Sequence, residues 1–311
     1  MITLDSDSAR TVPLRKMVPN LITTASLCSA LVSINYSLKA GSLVLLSEAA
    51  PTVDRAVLTG QAEAYWKAAL MAVGTSAVFD TLDGRAARLL KATSRFGAVY
   101  DSLTDFLAFG VAPALLLHQW MLRDQGALGI AAVVAFVMCS ALRLARFTSM
   151  PRQRPTRNLL ANFFVGLPTP AAAGAVLIPV MLDVSRYFPL NTVKSGPAGE
   201  PPSLRVETAS KVFEQIEPTL VVALTFVLAA LMISKVPLFS FKKVRVQRAA
   251  VVPIMAAFGC TVFALWRDPY MTISVLAALY VLSVPLSVRA HRRAMAEVRR
   301  LERTVLVGAT A

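Results

Sequence analysis

Four carboxylates fall in or beside two apolar stretches of this chain, Asp80 and Asp83 in FDTLDGRAARLL and Asp101 and Asp105 in YDSLTDFLAF. On insertion scales an acid at bilayer depth costs about 2.5 to 3.5 kcal/mol, so acids retained there need a compensating partner, and that partner is by default a functional one. On a helix, Asp80 and Asp83 (i, i+3) share a face, and so do Asp101 and Asp105 (i, i+4). Two such faces brought together make a ring of oxygen ligands, which suits a hard cation such as Mg²⁺, Mn²⁺ or Ca²⁺. Gly84 and Ala87 add a small-residue surface where a ligand or a second helix can approach the backbone. Arg88 lies about two turns beyond Asp80 on nearly the same face. A cation cluster beside a guanidinium outlines a phosphate site. Helix–helix hydrogen bonding and an ion pathway are the plain alternatives for four acids.

The rest of the chain must hold these residues inside a membrane. Of its 311 residues 56% are hydrophobic and only 16% charged, and the mean hydropathy is +0.59, a balance too apolar for an ordinary soluble domain. The expected fold is an all-α polytopic bundle. Windows long enough to cross a bilayer run at about 18–38, 65–86, 98–119, 127–147, 167–188, 218–235, 249–266 and 271–289, which predicts eight transmembrane helices. The net charge of +14 is unevenly placed: with both termini cytoplasmic, 23 of the 32 lysines and arginines fall on the inner side. That is the positive-inside pattern, and it supports the even number of spans. The basic face suits anionic membrane lipids, and with no basic soluble domain nucleic acid is not an expected partner. The organisation expected is a cytoplasmic arm over residues 1–17 without a signal-peptide cleavage pattern, a transmembrane domain over 18–290, and a cytoplasmic tail over 291–311.

Cys28, Cys139 and Cys260 are isolated and read as small packing residues, with no disulfide framework or zinc spacing. His118 and His291 fall at opposite faces of the membrane, which argues against a Ser/His/Asp or Cys/His mechanism. Pro19 and Asn20 open the first span, with Thr23 and Thr24 one turn on. Residues 39–64 read as an outer loop in which Leu43 to Leu46 lie along the interface as a short amphipathic piece. Gly110 and Pro113 read as packing positions that thin or bend their helix. Arg143 and Arg146 (i, i+3) end the fourth span in the same inner layer as the acids, either as snorkelling anchors or as partners of a phosphate or carboxylate. Gly166 and Pro168 mark a break before the fifth span. Residues 189–217 read as an exposed outer connector, and Lys235, Lys242 and Lys243 as a basic rim.

The spacing Asp80-x2-Asp83-Gly84-x2-Ala87-Arg88-x8-Gly97-x3-Asp101-x3-Asp105 resembles, without a mismatch, the signature of the CDP-alcohol phosphatidyltransferase family. The resemblance implies that Asp80, Asp83 and Asp101 hold one divalent metal and Asp80, Asp101 and Asp105 a second. It implies also that Asp80, Asp83, Gly84, Ala87, Arg88 and Gly97 embrace a CDP-linked lipid, with Asn20 and Thr23 at the nucleotide pocket, and that Asp105 is the general base. Two cations, Mg²⁺ or Mn²⁺ with Ca²⁺ as a further occupant, would polarise the phosphoryl oxygens while a carboxylate takes a hydroxyl proton.

Four further stretches, DSLTDFLAFGVAPALLL, ALRLARF, FFVGLPTPAAA and MISKVPLFSFKK, are similar to matching parts of the bacterial type II phosphatidylserine synthases. That similarity implies transfer from CDP-diacylglycerol to L-serine and a homodimer, while the positive-inside pattern puts the active site near the cytoplasmic face of the inner membrane, where Arg143 and Arg146 are the candidates for the acceptor or a phosphate. Glycerol 3-phosphate, inositol phosphate and choline remain alternative acceptors. A cation transporter is the competing class, and it would show no nucleotide dependence.

Overall fold

The computed structural model describes residues 14–149, 163–185, 217–234, 236–239, 251–292 and 295. It is built almost wholly of helices. The first two, α1 (Leu14–Ala49) and α2 (Thr52–Leu89), form a long hairpin. After a turn come α3 (Arg95–Asp105), a π-wound segment Phe106–Val111 and α4 (Ala112–Trp120), which together make one span. A 3-10 turn (Leu122–Gln125) leads into α5 (Gly126–Ser149). Strand β1 (Phe163–Val165) precedes α6 (Thr169–Val176) and α7 (Ile178–Val184). Then follow α8 (Pro218–Ile233), β2 (Pro237–Phe239), α9 (Val251–Arg267) and α10 (Pro269–Leu282).

Among the described residues four stretches are long and apolar enough to cross a membrane: Met17–Ala49, Arg95–Trp120, Leu122–Arg146 and Pro269–Arg292. Pro218–Ile233 and Val251–Arg267 are apolar but shorter. The expected span over 65–86 lies inside α2. The one over 167–188 is divided: Pro179 has no N–H to continue the ladder, and the helix breaks at Leu177 between α6 and α7.

The outer loop expected over 39–64 does not exist. Lys39 to Glu48 offer no glycine–proline break strong enough to stop a helix, so α1 runs on to Ala49, and Ser42 and Ser47 return their hydroxyls to carbonyls three residues back. Only Pro51 interrupts the chain, restricting the residue before it. Arg55, in the first turn of α2, donates to the carbonyls of Ser47 at 3.0 Å and Glu48 at 3.2 Å, which supplies partners to the open end of α1. The first helix also begins earlier than its apolar window, so Pro19 lies inside it.

Small residues let α1 and α2 approach closely, and serines bond across the seam. Ser26 and Ser76 exchange hydroxyl and carbonyl contacts at 2.8 to 3.0 Å, Ser29 donates to the Ala72 carbonyl at 2.8 Å, and Ser33 to that of Ala69 at 2.9 Å. Such interhelical bonds contribute about 0.6 kcal/mol each in membranes, so it is their repetition along Ser26, Ser29 and Ser33 that fixes the register. The larger core lies among Trp66, Leu116, Leu117, Phe136, Leu177 and Leu228, where α2, α4, α5, α6 and α8 meet.

Two of the stretches singled out by similarity zip together. β1 and β2 pair antiparallel, with Val165 opposite Pro237. Gly166 follows with φ +75°, and a Cβ there would meet the Met232 and Ser234 carbonyls at 2.8 and 2.9 Å. Its N–H donates to the Val236 carbonyl at 2.9 Å. A glycine is required there both by conformation and by space.

Candidate active site

The acids meet at the junction of α2 and α3. Ser94 caps α3, accepting from the Gly97 N–H at 2.9 Å, and the helix so started carries Asp101 and Asp105 to Asp80 of α2. One carboxylate oxygen from each of Asp80, Asp101 and Asp105 lies within 4.8 Å of the other two. Asp80 and Asp105 stand within hydrogen-bonding reach of each other, and Oδ1 of Asp105 is buried without a partner among the described residues. Three converging carboxylates with an unfilled acceptor are a donor set that fits a divalent cation. A cluster of this kind can bind metal.

Asp83 is treated differently. It is only 4% exposed and accepts a 2.6 Å hydrogen bond from the Thr23 hydroxyl of α1, which also reaches the Pro19 carbonyl at 3.0 Å. It lies outside the group of three oxygens. Thr23, read from the sequence as a substrate contact, therefore acts first on an acid. Thr24, its neighbour, pairs with the Tyr100 hydroxyl at 3.0 Å, so adjacent residues of α1 tie down α2 and α3 separately. Asn20 stands beside Gly97: a Cβ built on that glycine would lie 3.1 Å from Asn20 Oδ1 and 3.1 Å from Ser94 Oγ. At Gly97 the N-terminal parts of α1 and α3 come into close contact. On α2, the Arg88 guanidinium bends back to within 3.9 Å of where a Gly84 Cβ would be, and Ala87 is partly buried beside it.

The π-wound segment starts directly after Asp105. Single π turns recur at functional sites, and here the altered winding presents Gly110 to α5, where a Cβ would stand 2.7 Å from Ser140 Oγ. The close approach matters because Arg143 is one turn beyond Ser140 on the same face. Arg143 donates from Nη1 to the Thr169 hydroxyl at 2.7 Å and feels the charge of Asp105. Arg146, a turn further on, is partly buried. Gly110 is therefore the packing position expected of it, where the segment after α3 meets α5. Asn162 and the basic rim of Lys235, Lys242 and Lys243, the alternative candidates in the sequence for the acceptor site, lie outside the described residues.

Sequence reasoning passed over Thr169 and Tyr100. Thr169 sits inside FFVGLPTPAAA, and its signal was the polar residue held between two prolines at a helix start. Tyr100 had none beyond adjacency to Asp101.

The family model described as CDP-alcohol phosphatidyltransferase matches residues 16–194, more than half of the chain. The chain belongs to this family. All eight specified positions of the motif, and Asn20, Thr23, Arg143 and Thr169, lie within the matched segment of this phosphatidyltransferase. Relatives carry one name, "CDP-diacylglycerol--serine O-phosphatidyltransferase". The protein of Mycobacterium tuberculosis is 28% identical over 280 residues, covering 89% of this chain and 80% of its own. That of Helicobacter pylori is 42% identical over 116 residues, 37% of this chain and 47% of its own. That of Methanocaldococcus jannaschii is 37% identical over 118 residues, 38% and 52% respectively. The phosphatidyltransferase is a membrane-integral enzyme, and its family chemistry is transfer of a phosphatidyl group to an alcohol.

Proposed function

We propose that this phosphatidyltransferase transfers the phosphatidyl group of CDP-diacylglycerol to the hydroxyl of L-serine, giving phosphatidylserine and CMP. The observation that carries the chemistry is the convergence of Asp80, Asp101 and Asp105 beside Arg143, and the names of the relatives point to serine. In this reaction the serine oxygen forms a bond to the phosphorus next to the diacylglycerol, the bond from that phosphorus to the CMP oxygen breaks, and the hydroxyl proton passes to a base. Asp105 is that base, since one of its carboxylate oxygens is buried and has no partner among the described residues.

Asp80, Asp101 and Asp105, with Asp83 steadied by Thr23, would hold two divalent cations, Mg²⁺ or Mn²⁺. Bound there, the cations would offset the charge of the pyrophosphate and of the departing CMP. Gly84, Ala87, Arg88 and Gly97 line the nucleotide and pyrophosphate, with Asn20 at their edge. Arg143 and Arg146 supply the cationic side of the acceptor site. Eight spans, cytoplasmic termini and an active site near the cytoplasmic face of the inner membrane belong to the proposal and are supported by the placement of the basic residues; a homodimer belongs to it by the resemblance alone.

The test is CMP release by detergent-purified protein given CDP-diacylglycerol, Mg²⁺ or Mn²⁺, and separately serine, glycerol 3-phosphate, inositol phosphate or choline. Serine alone should support turnover, and chelation should abolish it. Turnover with another alcohol and not with serine would overturn the acceptor, and no nucleotide-dependent turnover with any of them would overturn the reaction.

A further inference from the structure

Helix α10, beyond the segment matched by the family, returns one polar side chain to the acceptor side of the site. Helix α10 packs against α6 and α7. At the contact with α6, a Cβ on Gly174 would lie 3.7 Å from that of Ala277. Past the end of α10, Ser287 donates to the Pro237 carbonyl at 2.8 Å, and Pro237 pairs with Val165, just ahead of α6. The chain after Ala277 therefore runs back along α6 toward Thr169. Tyr280 stands three residues on from Ala277, on the same face. It is partly buried, packs on the core, and interacts electrostatically with Arg143, whose guanidinium already bonds Thr169. Arg143 thus has Thr169 of α6 at hydrogen-bonding distance and lies close enough to Tyr280 of α10 and to Asp105 for its charge to act on both.

We infer that Tyr280 is a specificity-determining residue for the acceptor, its phenol acting with the Arg143 guanidinium as the receptor for the carboxylate of a small amino alcohol. The inference rests on the proposed serine reaction. A desolvated carboxylate offers about four lone-pair sites. A guanidinium fork fills two of them, and a phenol O–H fills another without adding a second positive charge beside the metal-binding acids. An alcohol with no anionic group has nothing to offer this pair.

The experiment compares wild type with Tyr280→Phe in CMP release, varying serine at saturating CDP-diacylglycerol and then the reverse. Loss of one hydrogen bond to a charged group should raise the serine KM about tenfold or more, while the KM for CDP-diacylglycerol and the kcat at saturating serine stay within about twofold of wild type. A Tyr280→Leu variant with wild-type melting behaviour in detergent should show the same split. If both KM values rise together, or kcat falls with the serine KM unchanged, Tyr280 is structural and the inference fails. A wild-type serine KM in Tyr280→Phe also overturns it. The serine reaction itself fails separately, and visibly, if the wild-type protein does not turn over serine at all.

Discussion

Polar groups around Asp83 and those around Arg143 are held by different constructions. On the first side one helix does most of the work: within a single turn of α1, Thr23 donates to Asp83 at 2.6 Å, Thr24 pairs with Tyr100 at 3.0 Å, and Asn20 rests against Gly97. On the second side each group comes from a different helix, Arg143 from α5, Thr169 from α6 and Tyr280 from α10, joined by a 2.7 Å bond and by charge. The first construction is local, and it suits the proposed holding of a pyrophosphate against cations. The second is assembled from distant segments, so on the proposed reading acceptor contacts vary without disturbing the acids. If this contrast is right, substitutions on the acid side abolish the reaction for every alcohol, and those on the Arg143 side change which alcohol is used.

The largest effect should come from the acids shared between the two proposed cations. Asp80→Ala and Asp101→Ala remove a ligand from the cluster within which the three oxygens lie 4.8 Å apart or less, and CMP release should vanish at any serine concentration. Near wild-type turnover in a folded variant would break the metal reading. Next comes Asp105→Asn, which keeps shape but cannot take a proton. Turnover should fall by about 10² or more, as general-base loss does, with CDP-diacylglycerol binding largely retained. Binding lost as completely as in Asp80→Ala would make Asp105 mainly a ligand.

The same contrast accounts for what could be read from the chain. Asp80 to Asp105 form a motif within 26 consecutive residues, and helical periodicity places its members, so the acid cluster was legible. Its internal division was not: nothing in the spacing separates Asp83 from its neighbours, because that depends on Thr23 reaching across from α1. The spans were legible as apolar windows, whereas the ends of α1 and α2 were not, because hydropathy falls before helix propensity does. Gly110 and Pro113 pointed to a bend, but not to the π winding over Phe106–Val111 that sets Gly110 against Ser140. The pairing of β1 with β2 and the return of Tyr280 are long-range contacts with no local period at all.

Arg143→Lys probes the acceptor side. The charge survives but the planar fork is lost, so the serine KM should rise by about tenfold or more while the KM for CDP-diacylglycerol changes little. Arg146→Lys, whose residue stands one turn farther along α5, should show the smaller serine effect. Equal weakening toward both substrates in Arg143→Lys would assign that residue to the lipid phosphate, and would erase the boundary drawn here between the two sides.

The smallest effect expected tests whether the acid side is as rigid as its bonds imply. Thr23→Val removes the hydroxyl that Asp83 accepts from, in a site where that carboxylate is 4% exposed, while the volume stays nearly the same. A buried carboxylate deprived of a donor is harder to keep charged, so the cation and the nucleotide held with it should bind more weakly. The expected result is a rise of several-fold in the KM for CDP-diacylglycerol and in the Mg²⁺ concentration giving half-maximal rate, with an unchanged KM for serine. Thr23→Ser, which restores the donor, should return both values toward wild type. That rescue separates the hydrogen bond from packing, since serine lacks the methyl group and valine keeps it. An effect of Thr23→Val on serine instead of on metal and CDP-diacylglycerol would place Thr23 on the acceptor side and leave Asp83 without the role assigned to it.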